Sequence, residues 1–345
     1  MGPPMTHLDI FSSPAALAGA AATLFAAQAA GAVSARGRFT TALSGGRTPE
    51  TLYGLLAAPP FASQIPWGRV HLFWGDERCV PPDHRESNYR FARERLLDHV
   101  PIPPGNVHRI RGEMEPAEAA ALYEKLLRDF FGPHGDPLFT FDLVLLGLGE
   151  DGHTASLFPG TGPIRETARW VVGHDVDARK GWRITLTPAA INAARTVVFL
   201  VAGKTKAAAA RDVLEGSCRP GALPAQAIRP LHGELRWMLD REAAQLLRRQ
   251  RKDDRSGGED RRKQGSMEDD RDLEEALLVE DLHTGELVVE RANGEKWVLD
   301  AKKGWCPWGY EFEGRRVRLR FGEVTSVLVN DRGERFEFWT DKQIE

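Results

Sequence analysis

The sequence predicts an α/β fold with a doubly wound, mainly parallel sheet, followed by a small all-β, barrel-like domain. Two observations carry this prediction. Strand-like and helix-like stretches alternate over residues 1–247, which is typical of a parallel sheet covered by helices on both faces. Short β-rich runs separated by turns follow in residues 269–345, which is typical of a small antiparallel barrel or sandwich.

The alternating part has strands and helices of ordinary length. The candidate strands are Phe39 to Leu43, Val70 to Trp74, Phe141 to Leu146, Arg183 to Leu186 and Thr196 to Val201. The candidate helices are Pro49 to Leu56, Ser87 to Leu97, Pro116 to Phe130, Pro188 to Asn192 and Lys204 to Leu214. An unbroken apolar run at 143–146 predicts a strand buried on both faces. Ligands of such sheets bind beyond the carboxyl ends of the strands, so the loops after the strands are the candidate sites.

The composition sets limits on the class of protein. The chain has 345 residues, 42% of them hydrophobic and 28% charged, and its net charge of −3 favours neither a nucleic-acid nor a membrane partner. The cysteines Cys79, Cys218 and Cys306 lie far apart without CxxC spacing. That spacing argues against a disulfide framework and against a cysteine-based zinc site, and it fits a cytoplasmic protein.

The segment from Pro14 to Val33 has twenty residues and no charge, which is compatible with a core helix and with a membrane or export segment. No Lys or Arg precedes it, although a signal peptide requires basic residues there, and Asp9 does precede it. Alanine is only weakly apolar. We therefore expect a helix of a soluble protein, packed by its Leu17, Leu24 and Phe25 side, with no membrane span.

The carboxy-terminal third differs in character. Residues 248–268 contain almost no apolar side chain and are expected to form a charged, flexible linker. The β-rich runs beyond them are Ala276 to Leu282, Glu286 to Arg291, Lys296 to Leu299, Arg315 to Phe321, Val324 to Val329 and Arg335 to Trp339, with Asn293-Gly294 and Arg332-Gly333 as turns. Residues 269–345 carry 12 basic and 19 acidic side chains, a net charge of −7 that disfavours nucleic acid.

The first candidate loop is the Gly-rich turn Ser44-Gly45-Gly46-Arg47-Thr48. It follows a strand and opens a helix, with Thr48 as the expected N-cap and Pro49 in the first turn. The glycines allow the backbone to approach a ligand and to point N–H groups at an anion, and Arg47 adds positive charge. The turn therefore predicts phosphate binding, with a plain strand–helix connection as the alternative.

The second loop is Gly75-Asp76-Glu77-Arg78, at the end of an apolar strand. Charged side chains there are costly to a core but useful in a cleft, and Arg78 offers a planar fork to phosphate or carboxylate. The alternative is an acid–arginine surface pair that begins a loop. Downstream, Ser87-Asn88 is expected to begin a helix that faces the same cleft.

The third loop follows the buried strand as Gly147-Leu148-Gly149-Glu150-Asp151-Gly152-His153-Thr154. Its glycines permit a tight bend that places His153 at the carboxyl end of the strand. Histidine is the side chain best suited to accept a proton near neutral pH, and we interpret His153 as a general base. Either Asp151 or Asp76 orients its ring, and the sequence does not decide between them.

The fourth loop, Gly203-Lys204-Thr205-Lys206, joins another strand to a helix. A lysine at a helix N-terminus suits an anion that it shares with the helix end. The alternative is a solvated lysine. The GxxxxGK[ST] pattern of a Walker loop is absent, so a nucleotide-binding loop is excluded.

Taken in order, these loops resemble the 6-phosphogluconolactonase family. The matching stretches are Ser44-Gly45-Gly46, Gly75-Asp76-Glu77-Arg78, Ser87-Asn88, Leu146 through Pro159, Arg183 through Thr187, Lys206-Ala207 and Leu223-Pro224-Ala225-Gln226. Together they span almost all of residues 1–247, whereas the carboxy-terminal domain lies outside the resemblance.

The resemblance implies a doubly wound fold shared with sugar-phosphate isomerases and glucosamine-6-phosphate deaminases. It also implies hydrolysis of 6-phospho-D-glucono-1,5-lactone to 6-phosphogluconate in the oxidative pentose phosphate pathway. It implies His153 as the general base, Arg78 and Lys206 as phosphate-binding residues, and no metal or organic cofactor. The partner is then a small sugar-phosphate lactone.

Two rival interpretations remain at this point. The related glucosamine-6-phosphate deaminases share the loop motif Asp-Gly-His, but they continue toward Phe-Asn-Glu-Pro and carry Asp-Glu-Tyr at the second loop. Here the chain reads Thr154-Ala155-Ser156-Leu157-Phe158-Pro159 and Asp76-Glu77-Arg78, which favours the lactonase. The other rival is a non-catalytic sensor that binds a protein through its carboxy-terminal domain. Trp297, Trp305, Trp308 and Trp339 are expected to form that domain's core, unless they form a partner surface.

Overall fold

The computed structural model describes residues 5–132, 141–177 and 180–248, together with the backbone of six strands between 274 and 344. It divides into two compact units, Met1–Ala210 with Pro220–Leu246, and Arg211–Arg219 with Leu247–Glu345. The first unit contains all four candidate loops.

The main sheet of the first unit has six strands, and every neighbouring pair is parallel. In the order in which they lie, the strands are β1 (Met5–Phe11), β9 (Glu234–Asp240), β8 (Thr196–Val201), β5 (Leu143–Leu146), β2 (Phe39–Leu43) and β3 (Val70–Trp74). The predicted α/β class is confirmed. Strands β1 and β9 were missed by the sequence interpretation, because both mix polar and apolar residues and neither has an apolar run as long as those of β5 and β8.

Helices connect these strands. They are α1 (Pro14–Arg36), α2 (Arg47–Leu56), α3 (Phe61–Gln64), α4 (Asn88–Arg95), α5 (Pro116–Phe131), α6 (Pro188–Asn192), α7 (Ala207–Glu215) and α8 (Arg241–Ala244). Short 3₁₀ turns lie at Trp67–Arg69, Leu97–His99, Pro104–Asn106, Gly162–Arg165, Lys204–Lys206 and Pro224–Ala227. Helix α7 begins at Ala207 rather than at Lys204, because the three residues before it form one of these turns.

A second, antiparallel sheet of three strands carries part of the site. It consists of β4 (Asp76–Arg78), β7 (Trp182–Leu186) and β6 (Val171–Asp175), with β7 in the middle. The strand predicted at 183–186 is therefore present, but it lies outside the parallel sheet. In this register Arg78 lies opposite Arg183, so the second candidate loop is fixed by strand pairing.

Helix α1 is the long, uncharged segment near the amino terminus. The Ser13 hydroxyl caps it by accepting from the Ala16 N–H at 3.2 Å, and Gly37 ends it in the left-handed region at φ +75°. Leu17 and Phe25 are fully buried and Leu24 is half-buried. Among the described residues, α1 is the one helix long and apolar enough to cross a bilayer, a test that a core helix of a soluble protein also passes.

The core lies on both faces of the central strands. Every residue of β2, β5 and β8 is buried, as expected for a parallel sheet between layers of helices. The rings of Phe199 and Trp237 stack with centroids 3.8 Å apart, and Phe25 meets Phe39 edge to face at 5.2 Å. Burial of each such large apolar side chain contributes about 1.5–3 kcal/mol.

The second unit contains the carboxy-terminal strands, whose neighbours pair antiparallel. They are β10 (Glu274–Asp281), β11 (Glu286–Arg291), β12 (Lys296–Ala301), β13 (Arg316–Arg320), β14 (Ser326–Val329) and β15 (Arg335–Ile344). The expected turns at 293–294 and 332–333, Trp305, Trp308 and linker residues 249–268 lie outside the described residues.

Two of the three cysteines, Cys79 and Cys218, lie among the described residues, and Cys79 is a free, half-buried thiol. Cys306 lies outside the described residues. The expectation that the cysteines form no disulfide framework therefore stays a prediction.

Candidate active site

The four candidate loops meet at the carboxyl ends of the parallel strands, around one cavity of about 630 Å³. This is the edge of the sheet at which α/β proteins bind ligands. The sequence-predicted site residues that line the cavity are Ser44, Gly45, Gly46, Arg47, Thr48, Asp76, Arg78, His153 and Lys206. Asp151 does not line the cavity but contacts His153, which does.

Two glycines shape the turn between β2 and α2, which lines the cavity. Gly46 has φ +109°, and a Cβ on Gly45 would lie 2.0 Å from Asn88 Oδ1. Gly46 is also the N-cap residue, so the predicted N-cap at Thr48 is wrong. Helix α2 begins earlier because Pro49 is tolerated within the first turn, where its missing N–H would have no helical partner.

A buried tyrosine fixes the start of the same turn. The Tyr53 hydroxyl donates to the Ser44 carbonyl at 2.7 Å and accepts from the Ser44 N–H at 3.2 Å. Burial raises the pKa of Tyr53 far above its usual value, so it remains a neutral hydrogen-bonding group. The Ser44 hydroxyl, although buried, has no hydrogen-bond partner among the described residues, and it lies at the cavity wall ready to bind a ligand oxygen.

Asp76 connects three segments of the site. Its carboxylate accepts from Ser156 Oγ at 2.7 Å and from Asn88 Nδ2 at 3.2 Å, and its backbone carbonyl also accepts from Asn88. Of the two carboxylates considered as orienters of the His153 ring, Asp76 therefore connects the loops of the site. The imidazole is hydrogen-bonded to the other one, Asp151, through its Nδ1 atom.

Glu77 is a buried anion with a structural task. Its carboxylate accepts from the backbone N–H groups of Arg78, Asn88 and Tyr89 at 2.7–2.8 Å and from the Ser87 hydroxyl. Burial raises its pKa, although these hydrogen bonds oppose that effect. Glu77 thus anchors the N-terminus of α4, which brings Asn88 to the cavity.

Two arginines stand side by side next to Asp76. The Arg78 guanidinium donates to the Glu86 carbonyl at 2.5 Å. Arg183 is its neighbour across the strand pair. Burial, together with the positive charge of Arg78, lowers the pKa of Arg183. This edge of the site therefore concentrates positive charge that an anionic ligand would relieve.

The loop after β5 forms a histidine–aspartate pair. His153 Nδ1 lies 2.5 Å from Asp151 Oδ1, and the His153 backbone N–H also donates to that oxygen at 3.1 Å. Burial raises the pKa of Asp151, but its contacts with His153 and the nearby Lys180 outweigh burial and lower it overall. The His153 ring packs on Phe158 with centroids 4.3 Å apart.

Backbone conformation in this loop is unusual at two positions. Gly152 has φ +80° and Ala155 has φ +47°, the latter rare for a residue with a side chain. The loop closes on itself, since the Gly149 N–H donates to the His153 carbonyl and the Gly152 N–H to the Gly149 carbonyl. These two amide groups are therefore occupied and are not free for a ligand.

Lys206 also lines the cavity, and its ammonium nitrogen lies 4.0 Å from Oε1 of Glu150 in this loop. The preceding backbone differs from the expected anion-binding helix end. The Gly203 N–H donates to Asp240 and the Lys204 N–H to Glu242, so the protein's own carboxylates use these two donors. The charge of Lys206, rather than the helix end, is left for an external anion.

Sequence reasoning missed several residues at this site. Tyr53, Asp240 and Glu242 contact site residues through backbone groups, so no local motif marks them. Among the described residues, no group of three or more His, Cys, Asp or Glu side chains is arranged to hold a metal ion.

Comparison with known proteins places the chain in a family. The sequence pattern of the family described as glucosamine-6-phosphate isomerases/6-phosphogluconolactonase matches residues 12–237. The chain belongs to this family. It is 44% identical to the 6-phosphogluconolactonase of Synechocystis sp. over 218 residues, covering 63% of this chain and 88% of that protein. It is 42% identical to the human 6-phosphogluconolactonase over 248 residues, covering 70% and 93%.

Solved structures of the family agree with this assignment. The 6-phosphogluconolactonase of Trypanosoma brucei is 30% identical, with a TM-score of 0.62 over 71% of this chain and 100% of that one. A crystal structure of a devB protein is 34% identical, with a TM-score of 0.64 over 70% and 100%. A monomeric glucosamine-6-phosphate deaminase, at 22% identity and a TM-score of 0.59, shares the fold.

Proposed function

We propose that this chain hydrolyses 6-phospho-D-glucono-1,5-lactone to 6-phospho-D-gluconate in the oxidative pentose phosphate pathway. Its similarity to curated proteins named 6-phosphogluconolactonase supports this activity. The structural observation that carries the proposal is the pair formed by His153 and Asp151 at a cavity that also contains Arg78 and Lys206. The cavity thus combines a base with cations suited to a phosphate.

In the proposed mechanism, His153 activates the attacking water. Asp151 accepts the Nδ1–H of the imidazole, which fixes the tautomer and leaves Nε2 with a free electron pair. Nε2 takes a proton from water as the oxygen attacks C1 of the lactone, and it then returns that proton to the departing ring oxygen. Such general acid–base catalysis contributes roughly 10²–10⁴-fold to the rate.

The rest of the cavity positions the substrate. Arg78, Lys206 and the turn from Ser44 to Thr48 hold the phosphate, and Arg47 adds charge to that turn. A fixed phosphate places C1 against the base, so that the reaction loses little orientational freedom. The oxyanion formed at C1 needs donors other than the Gly149 and Gly152 N–H groups, which are already bonded.

The first test compares the parent with His153→Ala on freshly generated lactone, corrected for spontaneous hydrolysis. We expect kcat to fall at least about 100-fold in this variant, because no other group replaces the base. Asp151→Asn should lose about 10-fold or more, since the amide cannot accept the Nδ1–H as a carboxylate does. Activity of His153→Ala within a few-fold of the parent would remove the histidine from the mechanism. A sensor without catalysis would leave parent and variant alike at the spontaneous rate.

The family also contains isomerases, so the reaction itself needs a control. The sequence from Thr154 to Pro159 lacks the additional carboxylate of the deaminases. We therefore expect no ammonia release when the parent is incubated with glucosamine 6-phosphate. Ammonia release at a rate comparable to lactone hydrolysis would show that the chain acts as a deaminase.

We further propose a catalytic domain over residues 1–247, a linker over 248–268 and a β-barrel over 269–345. The antiparallel order β10-β11-β12-β15-β14-β13, which returns to its first strand, supports the barrel. The barrel's net negative charge disfavours nucleic acid and suits a protein partner. We place the enzyme in the cytoplasm, where its substrate class is expected, and cell fractionation tests that location.

A further inference from the structure

Asp240 is a buried carboxylate that the proposed mechanism does not use. It ends strand β9 and is only 1% exposed. Among the described residues it forms no ion pair with a Lys or Arg side chain, so its charge is compensated by hydrogen bonds alone. A buried charge is costly unless it is hydrogen-bonded, so the contacts of Asp240 indicate what its charge stabilises.

These contacts connect two elements. Asp240 caps α8 by accepting from the Ala243 N–H at 2.7 Å. Both of its carboxylate oxygens also accept from the Gly203 N–H, at 3.0 and 3.1 Å. Gly203 lies at the end of the neighbouring strand β8 and has φ +94°, a conformation that favours glycine.

The turn held in this way carries the lysine of the phosphate site. The Lys206 N–H donates to the Gly203 carbonyl at 3.0 Å, which closes the turn. Glu242 on α8 adds a weaker contact, since its Oε2 accepts from the Lys204 N–H at 3.3 Å. A continuous chain of hydrogen bonds therefore leads from Asp240 through Gly203 to Lys206.

We propose that Asp240 is a positioning residue, which fixes the turn from Gly203 to Lys206 so that the Lys206 ammonium faces the substrate's phosphate. The proposal rests on the proposed function. It assigns Asp240 to substrate binding rather than to the chemical step. Loss of the hydrogen bonds between Asp240 and the Gly203 N–H should therefore raise KM for a phosphorylated substrate and leave kcat nearly unchanged.

Asp240→Asn is the informative change, because asparagine caps a helix as well as aspartate does. The amide oxygen can take the place of Oδ1 and keep the cap on α8. The NH₂ group in the place of Oδ2 cannot accept from the Gly203 N–H, so the turn loses one of its two acceptor oxygens and the negative charge. We expect KM for the phosphorylated lactone to rise about 10-fold, the typical effect of one charge-assisted hydrogen bond, with kcat within 2-fold. Turnover of D-glucono-1,5-lactone, which has no phosphate, should change less than 2-fold.

Asp142→Asn is the control for loss of a buried carboxylate elsewhere in the sheet, and it also removes an ion pair with Arg36. Asp142 is another buried carboxylate, 4% exposed, that accepts from a backbone N–H, that of Thr40 at 2.8 Å. It precedes β5 and therefore lies at the edge of the sheet away from the cavity. Asp142→Asn should lower the melting temperature and leave both kinetic constants unchanged.

Calorimetric titration with 6-phospho-D-gluconate separates this inference from the proposed function. If the parent binds this product about 10-fold more tightly than Asp240→Asn does, Asp240 positions the phosphate site even if no lactone is turned over. Equal KM and equal affinity in a folded Asp240→Asn variant, or equal losses on both lactones, would overturn the inference. If Asp240→Asn does not fold, Glu242→Gln, at an exposed position, should still raise KM about 2–3-fold, and an unchanged KM there would also count against it.

Discussion

At the scale of single residues, close packing around His153 explains the glycines of its loop. A Cβ on Gly149 would lie 2.0 Å from His153 Nδ1 and 2.6 Å from Asp151 Oδ1, so any larger residue would separate the pair. A Cβ on Gly152 would lie 2.7 Å from the Leu223 side chain. The glycines are therefore needed for side-chain approach as much as for the bend of the chain.

Glu150→Gln should tighten substrate binding. Glu150 lies 4.0 Å from Lys206 at the cavity wall, so in the proposed site it would compete with the substrate's phosphate for the ammonium group. Because the pair is partly exposed, the effect is small, and we expect KM to fall about 2–3-fold with kcat unchanged. Steady-state kinetics at low and high salt measure it, with Glu113→Gln, which breaks a surface pair with Arg109, as the control. A rise in KM would instead mean that Glu150 holds Lys206 in place for the substrate.

A pair of half-buried histidines makes stability depend on pH. His71 Nδ1 and His108 Nε2 are 3.2 Å apart, so one of these two nitrogens carries a hydrogen and donates it to the other. Burial and the neighbouring Arg38 lower the pKa of His71, while burial and His71 lower the pKa of His108 to about 4. Because both folded-state values lie below the unfolded value near 6.5, their stabilising contribution is complete above pH 6.5 and is lost as the pH falls toward 4.

We therefore expect the parent's melting temperature to fall between pH 7 and pH 4 more steeply than that of His108→Phe. Phenylalanine keeps the stacking on Phe73, where the ring centroids are 4.4 Å apart, but does not titrate. Thermal unfolding at pH 7, 5.5 and 4 measures the two slopes. Parallel curves would show that the pair does not titrate in this range.

At the scale of secondary structure elements, two tyrosine hydroxyls fix the ends of adjacent strands. Tyr53 bonds the backbone of Ser44, just beyond β2, and Tyr123 bonds both the N–H and the carbonyl of Trp74, the last residue of β3. Both hydroxyls come from helices, α2 and α5. The carboxyl edge of the sheet is thereby held rigid where the loops of the site begin.

Helix α1 offers a paired test of backbone preferences. A Cβ on the exposed Gly31 meets no atom within 4 Å, so Gly31→Ala should stabilise the protein by about 0.5–1 kcal/mol. Gly37→Ala places alanine at φ +75° and should destabilise by about 1 kcal/mol, although it too has open space. Denaturant unfolding measures both. Effects of equal sign would contradict the role of Gly37 as the left-handed end of α1.

At the scale of the whole molecule, the candidate active site lies entirely in the first compact unit. All residues of the site lie within Met1–Ala210 and Pro220–Leu246, and the relatives match this part of the chain. The curated lactonase of Synechocystis sp. is covered to 88% of its length by 218 aligned residues. That relative, which is little longer than the 218 aligned residues, is itself named a 6-phosphogluconolactonase.

A chain ending at Arg248 should accordingly keep its activity. We expect kcat and KM within about 2-fold of the full-length protein, because every hydrogen bond described at the site is formed by residues before that point. Kinetics and a melting curve of both proteins measure the effect. A loss of more than about 10-fold in a folded truncated protein would assign the carboxy-terminal domain a part in catalysis.

The sequence by itself determined the α/β class, the bounds of β2, β3 and β8, and the family. It could do so because apolar runs, glycine turns and the order of the loop motifs are local properties of the chain. It also placed His153, Arg78 and Lys206 after strands whose carboxyl ends meet, and the structure brings these residues to one cavity.

Only the tertiary structure decided which groups meet. It paired Asp151 rather than Asp76 with the imidazole, placed the 182–186 strand in a separate sheet, and brought Asp240 to Gly203. Hydrogen bonds and strand pairing act over a few ångströms in space, whereas the groups that they join stand far apart in the chain. Asp76 and Ser156 are separated by 80 residues, and Asp9 and Arg236 by 227. No local pattern in the sequence encodes that proximity.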